Sequence, residues 1–367
     1  MKLNKKSINR TLTASAVPIL FIIISAVAIP LSKYSGSFMV AEIITRLSRN
    51  SFLVLALLLP VMAGMGINFG IVLGAMAGQM GLIFITDWGV KGAPGLLLAM
   101  VIATPIAILL GYFCGDVLNR AKGREMITSM MLGFFISGIY QAITLYLCGP
   151  VIPIKNPKLL LSRGYGIRNA INLDVIYGFD NLLMIKKGNI VIPVGTFLIV
   201  GLLCIFTVWF RKTKLGQDMR AVGQDMTVSD TAGIKVDKVR KQAIIISTVL
   251  ACYGQIIFLQ NIGTLNTYNG SDQLALFAAA SLLVGGATVN KASIVNALIG
   301  TGLFHLMFIV MPMAGKNLTN QAMIGEYLRM FVSYGVVTLA LVLHSWKRQK
   351  DKEMDREYLR QEFNKAK

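Results

Sequence analysis

The chain has 367 residues, of which 55% are hydrophobic and only 14% are charged. Soluble domains usually contain about 25% charged residues, so a water-soluble fold cannot bury this much apolar surface, and the lipid bilayer must be part of the solvent. The formal net charge of +19 would suit nucleic-acid binding, but the basic residues cluster between apolar segments. That distribution indicates a membrane topology, and no nucleic-acid partner is expected.

Continuous apolar segments occur along most of the chain. A bilayer core of about 30 Å requires roughly 20 apolar residues per helix, and the segments lack the period-two alternation of half-buried strands, so helices are predicted. The first follows a basic N-terminus, as in a signal peptide, but it lacks a small-x-small cleavage site and is expected to be a span. The fold class predicted is an all-α membrane protein, a polytopic bundle of about ten transmembrane helices. The ten spans lie at about 11–32, 51–64, 66–87, 94–116, 126–148, 189–210, 242–262, 273–289, 292–314 and 324–345.

Lysine and arginine are distributed asymmetrically over the connecting segments. With the N-terminus in the cytoplasm, 24 of the 36 basic residues fall in segments on the inner side. The positive-inside rule then places both termini in the cytoplasm, makes 211–241 a cytoplasmic loop and leaves 149–188 as a long external loop. Residues 1–345 are predicted to form the transmembrane domain, and 346–367 a charged cytoplasmic tail.

The sequence lacks the groups that a self-powered or catalytic membrane protein needs. It contains no GxxxxGK[ST] phosphate loop, so no nucleotide hydrolysis, catalytic residue, cofactor or metal site is expected on this chain. Ion-coupled carriers place ionisable groups deep in the membrane, and here these are few. Glu326 and Arg329 are spaced to pair on one helix face, and His305, alone in mid-span, is interpreted as a packing or pore-wall residue.

Four glycines recur every fourth residue in the third predicted span, at Gly66, Gly70, Gly74 and Gly78. On a continuous helix they would form one ridge without side chains, against which another helix can pack closely. Tight helix packing is the simpler interpretation. The alternative is a helix beside a translocation path.

Uncharged polar side chains also occur inside the predicted spans. They need hydrogen-bond partners in lipid, from another helix, from water or from a polar solute. Each alone is more typical of an interhelical hydrogen bond, whereas together they suit passage of a polar, uncharged solute such as a sugar or nucleoside. The candidates for the substrate path are Asn68, Gln79, Tyr140, Gln141, Tyr253 and Gln255.

The polar segment 211–241 contains the signals of a short helix. Asp225 can cap its N-terminus through a carboxylate that accepts backbone N–H groups, and Gly233 can end it as the C′ glycine. Gly223 is expected to interrupt any longer helix. A short helix near 225–232 is therefore predicted, with a generic solvated loop as the alternative.

The stretch "TKLGQDMRAVGQDMTVSDTAGIKVDKVRKQA" resembles the cytoplasmic coupling segment of binding-protein-dependent ABC importer permeases, in the branch that serves simple sugars, nucleosides and branched-chain amino acids. Asp225 stands where that family often has Asn, and the third span lacks the family's acidic residue, so the substrate is not specified. The matching residues, to which the resemblance gives the ATPase-coupling role together with Asp225, are Gly216, Arg220, Ala221, Gly223, Gln224, Gly233, Ile234 and Val236.

The resemblance implies a transport subunit in a bacterial inner membrane, not an enzyme. Its partners would be a cytoplasmic ABC ATPase that binds ATP and Mg, a second permease (identical or paralogous) and an extracellular or periplasmic solute-binding protein. The helix near 225–232 would dock on the ATPase, while basic residues face the ATPase or lipid phosphates. The rival interpretations are an ion-coupled secondary transporter and a membrane scaffold or enzyme.

Overall fold

A computed structural model describes residues 2–173, 178–188 and 190–332 and, beyond them, residues 334, 335, 338, 339 and 342. Side chains are described from residue 17 onward, except that of Lys187. A π-helical turn over Ile143–Leu147 extends the sixth helix, and a further helix covers 322–332. The helices are α1 (Lys2–Ser32), α2 (Gly36–Ala56), α3 (Leu58–Met62), α4 (Ile71–Trp88), α5 (Gly92–Arg120), α6 (Glu125–Ala142), α7 (Val194–Phe210), α8 (Lys214–Gln224), α9 (Met226–Thr231), α10 (Val236–Ile262), α11 (Leu274–Val284) and α12 (Ile294–Thr319). The strands are β1 (Ala170–Asn172), β2 (Met184–Lys187), β3 (Ile190–Pro193) and β4 (Thr264–Asn266).

Within the described residues, six helical segments are long and apolar enough to cross a membrane. The pair α7–α8, which is bent by 75°, adds a seventh if it is counted as one span. The chain is therefore a multi-pass helical membrane protein. The six segments are Gly36–Met62, Ile71–Trp88, Gly92–Arg120, Glu125–Leu147, Val236–Ile262 and Ile294–Thr319.

Several predicted spans differ from the helices observed. The apolar part of α1 covers only Val17–Ser32, and α11 has 11 residues, which is about 17 Å of helix and too short to cross a bilayer alone. The predicted span 324–345 falls partly, and the tail 346–367 entirely, outside the described residues.

The second span begins earlier than the predicted range 51–64, because helical structure starts at Gly36. Residues 36–50 include charged side chains, so this part of α2 does not read as a continuous apolar segment. In the fold, Arg46 Nε lies 2.8 Å from Glu42 Oε1, one turn away on the same helix. This ion pair offsets the two charges locally and allows the helix to continue through them.

The predicted glycine ridge is wrong for its first half. Gly66 lies before α4 with a φ of 70°, and Gly70 is the N-cap residue of the helix. Gly74 and Gly78 lie where α4 meets α10: a Cβ built on them would fall 2.2 Å from Thr248 O and 2.7 Å from Cys252 O. Close packing of α4 on α10 thus depends on two glycines.

The bundle has two distinct polar ends. Helix α10 lies at its centre, packed against α2, α4 and α5, and runs from the end that holds α9 (the α9 end) to the end that holds the strands (the strand end). At the strand end, β1 pairs antiparallel with β4, and β2 with β3. These short strand pairs are the departures from an all-α fold in the described part of the chain.

A buried carboxylate fixes the strand end to the bundle. Asp180 is 2% exposed and accepts hydrogen bonds from the Thr196 hydroxyl, from Gln260 Nε2 at 3.2 Å and from Asn261 Nδ2 at 2.8 Å. Phe179 N–H donates to Gln260 Oε1 at 2.9 Å. The amides at the end of α10 therefore anchor the long loop and the start of α7.

Candidate functional site

The segment between α7 and α10 folds as two short helices. Asp225, at φ −154° and ψ 115°, separates them and caps α9: its Oδ1 accepts the N–H groups of Thr227 at 2.8 Å and Val228 at 3.0 Å. The predicted cap and the predicted short helix are both confirmed, since α9 covers Met226–Thr231. The role of this helix in coupling stays a prediction.

Gly233 follows Ala232, the C-cap residue of α9, and so lies at the predicted C′ position, with a φ of 84°. Its N–H donates to Asp230 O at 2.9 Å, and the Ile234 N–H donates to Ser229 O at 3.0 Å. These bonds satisfy carbonyl groups that the end of a helix would otherwise leave open. A side chain at Gly233 would meet the strain of the left-handed region.

Gly223 does not interrupt a helix, contrary to expectation. It lies inside α8, and the break comes two residues later at Asp225. A Cβ on Gly223 would fall 2.2 Å from Met62 O, and one on Gly216 would fall 2.1 Å from Phe210 O. Both glycines therefore permit close backbone contacts, one with the end of α3 and one with the turn that follows α7.

The two helices present different surfaces. Helix α8 buries Gly216, Met219 and Val222 against the bundle. Arg220 and Gln224 are exposed, whereas Ala221 and Ile234 are half-buried. On α9, Ser229 is buried, and Thr227, Val228 and Asp230 are exposed. Val228, 63% exposed, gives this outward face an apolar contact point.

Arg240 is a residue of this region that the sequence interpretation missed. It is fully buried, with Nη2 2.5 Å from Glu125 Oε1 at the start of α6, and with Nη1 donating to Met226 Sδ at 2.9 Å. One side chain thus joins α10, α6 and α9. The basic residues of this segment are predicted to face the ATPase or lipid phosphates. Arg240, however, follows Val236 by four residues and precedes Ala243 by three, and this spacing places it on the buried face of α10.

Two more exposed ion pairs hold α5 and the turn after it to α10. Lys241 Nζ lies 2.8 Å from Asp116 Oδ1, and Lys122 Nζ lies 2.6 Å from Asp237 Oδ1. Beside them, a cleft of about 730 Å³ is lined by Met226, Thr227, Asp230, Lys235, Val236 and Lys238, together with Lys122 and Asp237. The α9 end therefore combines a capped, exposed helix with a charged cleft beside it.

The polar residues predicted to line a substrate path do not form one group. Asn68 Oδ1 accepts the Gly70 N–H at 2.8 Å and shapes the turn before α4. Tyr253 Oη pairs with Thr104 Oγ1 at 2.9 Å, between α10 and α5. The hydroxyl of Tyr140 is buried without a hydrogen-bond partner in the described structure.

Two of the predicted amides do converge, on the loop after α10. Gln255 Nε2 lies 3.5 Å from Gly270 O, and a Cβ on Gly270 would fall 3.0 Å from Gln79 Nε2. Among the described residues, neither amide atom of Gln79 nor the Oε1 of Gln255 has a hydrogen-bond partner. Two buried, incompletely paired amides therefore meet at Gly270.

The loop 263–273 reaches back into the bundle. Gln255 lies seven residues before the end of α10, about 10 Å along the helix, yet it meets Gly270. Gln141 Nε2 donates to Tyr268 O at 3.1 Å. Burial raises the pKa of Tyr268, and its protonated hydroxyl donates to Ile167 O. Non-helical backbone at such depth is typical of transporters, where it lines a cavity or is covered by protein.

The family described as "Branched-chain amino acid transport system / permease component" matches residues 39–341. The chain belongs to this permease family. The match covers most of the chain, including every helix from α3 to α12, and it confirms the resemblance to ABC importer permeases of the simple-sugar type. Members of the family are transport subunits and not enzymes themselves.

Curated relatives of this permease include three transport proteins. The Galactofuranose transporter permease protein YtfT of Escherichia coli (strain K12) is 25% identical over 60% of this chain and 65% of its own length. The Xylose/arabinose import permease protein XylH of Sulfolobus acidocaldarius is 22% identical over 62% of this chain and 58% of its own.

The Probable ABC transporter permease protein YphD of Escherichia coli (strain K12) is 27% identical over 34% of this chain. The permease spans 38% of YphD, so the match to these relatives covers between about a third and two thirds of their lengths. No solved structure matches the chain.

The permease also contains a cavity at the strand end, between α2, α10, α11 and α12. Among the described lining residues are His305, which the sequence singled out, and Asn50, Asn269 and Ser281, which it did not. The six predicted path residues are absent from this lining in the described structure. Polar loop residues and a single serine in an apolar helix give no periodic signal, so sequence alone could not group them.

Proposed function

We propose that this permease is the membrane-spanning subunit of an ATP-binding-cassette importer that moves a small polar solute, with ATP and Mg bound on a separate ATPase. The observation that carries this proposal is α9. It is a six-residue helix, capped at both ends and exposed on its outer face, and Arg240 joins it to α10 and α6. Helix α9 would dock on the ATPase, and the joined helices would move with it.

The complete assembly would contain two permeases, identical or paralogous, and an external solute-binding protein. In the proposed layout the α9 end faces the cytoplasm of a bacterial cell with both termini inside, and the chain crosses the inner membrane ten times. An exposed apolar stripe on α5, formed by Leu97, Val101 and Leu109, suits lipid or the second permease.

A simple sugar is the solute class that the relatives favour. Two of them carry galactofuranose and xylose/arabinose in their names, and another is named for autoinducer 2. A nucleoside rests on the family resemblance alone. The uncharged amides at Gln79 and Gln255 suit a hydroxyl-rich solute, since each amide both donates and accepts hydrogen bonds.

The docking role of α9 is tested by Val228→Asp, which places a charge on the exposed face without touching the fold. Recovery of an ATPase subunit co-expressed with the tagged permease should fall about tenfold or more, as removal of an apolar contact at an interface centre does. Solute uptake should fall with it.

Ile185→Asp is the matched control, because Ile185 is 57% exposed on β2 at the strand end. It should leave ATPase recovery unchanged. Full ATPase recovery and full uptake in Val228→Asp would exclude α9 as the coupling helix.

A further inference from the structure

The cavity at the strand end lies within a single chain. It encloses about 300 Å³ between α2, α10, α11, α12 and the loop that carries β4. Pockets for small molecules measure about 300–1,000 Å³. The volume therefore suits a ligand of monosaccharide size.

Two deeply buried polar groups in its lining lack partners. Ser281 on α11 is fully buried, and His305 on α12 is 6% exposed. Neither Ser281 Oγ nor His305 Nδ1 has a hydrogen-bond partner within the described chain. An unpaired buried polar group is destabilising, and a hydrogen-bonding ligand in the cavity would offset that cost.

Amide side chains and aromatic rings complete the lining. Asn50 Nδ2 donates to Arg46 O at 2.8 Å, which leaves its carbonyl oxygen as the atom that can accept from a ligand. An amide and a hydroxyl are complementary because each can both donate and accept. The other amides are Asn266, Asn269 and Gln273, and the rings are Phe258 and Phe277.

The lining selects against charged ligands. Of its described members, none is Asp, Glu, Lys or Arg. Three nearby guanidinium groups lie on aromatic rings: that of Arg49 is 5.5 Å from the centre of the Phe258 ring, and those of Arg46 and Arg329 are 5.7 Å and 4.3 Å from that of Phe308. Arg46 also pairs with Glu42, and Arg329 with Glu326. A charged ligand would lose its hydration without gaining an opposite charge in the lining.

We propose that this cavity binds one neutral, polyhydroxylated molecule of monosaccharide size, which hydrogen-bonds to Ser281 and His305. That this molecule is the transported solute rests on the proposed function. The site itself rests on the cavity and its unpaired groups, and it lies inside one permease chain. It therefore needs neither the ATPase nor a second permease to form.

The test is ligand binding to the full-length permease in lipid nanodiscs, without ATPase or binding protein, followed by saturation-transfer NMR. D-xylose and D-galactose are the neutral probes, and D-galacturonate is the charged one. We expect at least one neutral sugar to bind and galacturonate not to bind. Ser281→Leu, which fills the cavity, should abolish binding, and His305→Phe should weaken it about three- to tenfold through loss of one hydrogen bond.

Thr301→Val is the matched control for both variants. Thr301 is buried on α12, one turn from His305, and donates to Ala297 O at 2.7 Å within its own helix. It should bind sugar as the wild type does. Absence of neutral-sugar binding to the wild type, equal binding by Ser281→Leu and His305→Phe, or equally tight binding of galacturonate would each overturn the inference.

Failure of the cavity and failure of the proposed function give different results. If the ATPase co-purifies with all variants but substitution of Ser281 and of His305 leaves sugar binding unchanged, the cavity inference is wrong and the importer assignment stands. If no ATPase associates with the wild type, the importer assignment is wrong. Sugar binding that depends on both residues would still support the cavity.

Discussion

Arg240 is a fully buried cation with one carboxylate beside it. The pair with Glu125, 10% exposed, lies at the α9 end, where α6, α9 and α10 meet. Removing one member of such a pair leaves an uncompensated charge and costs about 3–5 kcal/mol, whereas replacing both by apolar residues is often neutral. The pair therefore determines which helices stay together more than it adds to total stability.

We expect Arg240→Met to lower the thermal unfolding midpoint of the purified permease strongly, because the Glu125 carboxylate loses its partner. The double variant Arg240→Met/Glu125→Met should recover most of that loss. Unfolding in detergent, followed by intrinsic fluorescence, measures both.

Arg120→Met is the control for loss of a positive charge alone. Arg120 pairs with Asp116 at 3.1 Å, but its side chain is 83% exposed, and such surface pairs contribute about 0–1 kcal/mol. Additive destabilisation in the double variant would contradict a compensated pair.

Helix α9 depends on its caps more than a longer helix would. Six residues are too few to form a stable helix in isolation, so the Asp225 carboxylate and the turn at Gly233 supply a large share of its order. The neighbouring α8 relies instead on burial of Met219 and Val222. A change at Asp225 therefore acts on α9 with little effect on α8.

Asp225→Ala should loosen α9, since loss of an N-cap costs about 0.5–2 kcal/mol. Hydrogen exchange of the Thr227 and Val228 amides should accelerate by a corresponding factor. Asp225→Asn keeps an acceptor oxygen and should exchange nearly as slowly as the wild type. Equally fast exchange in both variants would show that the negative charge, and not the hydrogen bond, holds the helix.

The elements that sequence predicts well are those with a local cause. The cap at Asp225, the end at Gly233 and the long apolar helices each follow from neighbouring residues. Sequence predicts too late a start for α2, because Glu42 and Arg46 do not suit a membrane span unless they pair, as they do in the fold. The four-residue spacing of the glycines predicts that Gly66 belongs to the helix, because spacing carries no information about a positive φ.

The energy source separates an importer from an ion-coupled carrier. The exposed helix at the α9 end suits docking of a separate ATPase subunit. Among the described residues of the spans, the buried groups Glu125 and Arg240 pair with each other, and Asp87 accepts the backbone N–H groups of Lys155 and Asn156. His305, also buried, lies in the lining of the cavity. The buried amides are uncharged. This arrangement suits a bundle moved by a partner rather than by an ion.

Uptake by cells that express the complete system should therefore stop on ATP depletion and continue when an ionophore dissipates the ion gradients. Uptake of labelled sugar under the two treatments measures this directly. Uptake that collapses with the ionophore while ATP is maintained would favour the secondary transporter.

Sequence could not predict the cavity, because its lining comes from distant parts of the chain. Asn50, Ser281 and His305 meet only when α2, α11 and α12 pack together. The amides chosen from the sequence were those inside apolar spans, whereas Asn266, Asn269 and Gln273 lie on a loop that the fold brings back into the bundle. Only the three-dimensional path of that loop reveals them.

The pairing of β1 with β4 connects the surface of the strand end to the interior of the permease. Asn266 is paired to Ala170 in this ladder, and its carbonyl accepts the N–H of Gly270 at 2.9 Å. Gly270 in turn touches the amides of α4 and α10. A protein that pressed on the β1 loop would therefore displace the lining of the cavity directly, through one tight turn of backbone. In the proposed importer, docking of the solute-binding protein on the β1 loop would thus be coupled directly to rearrangement of the cavity.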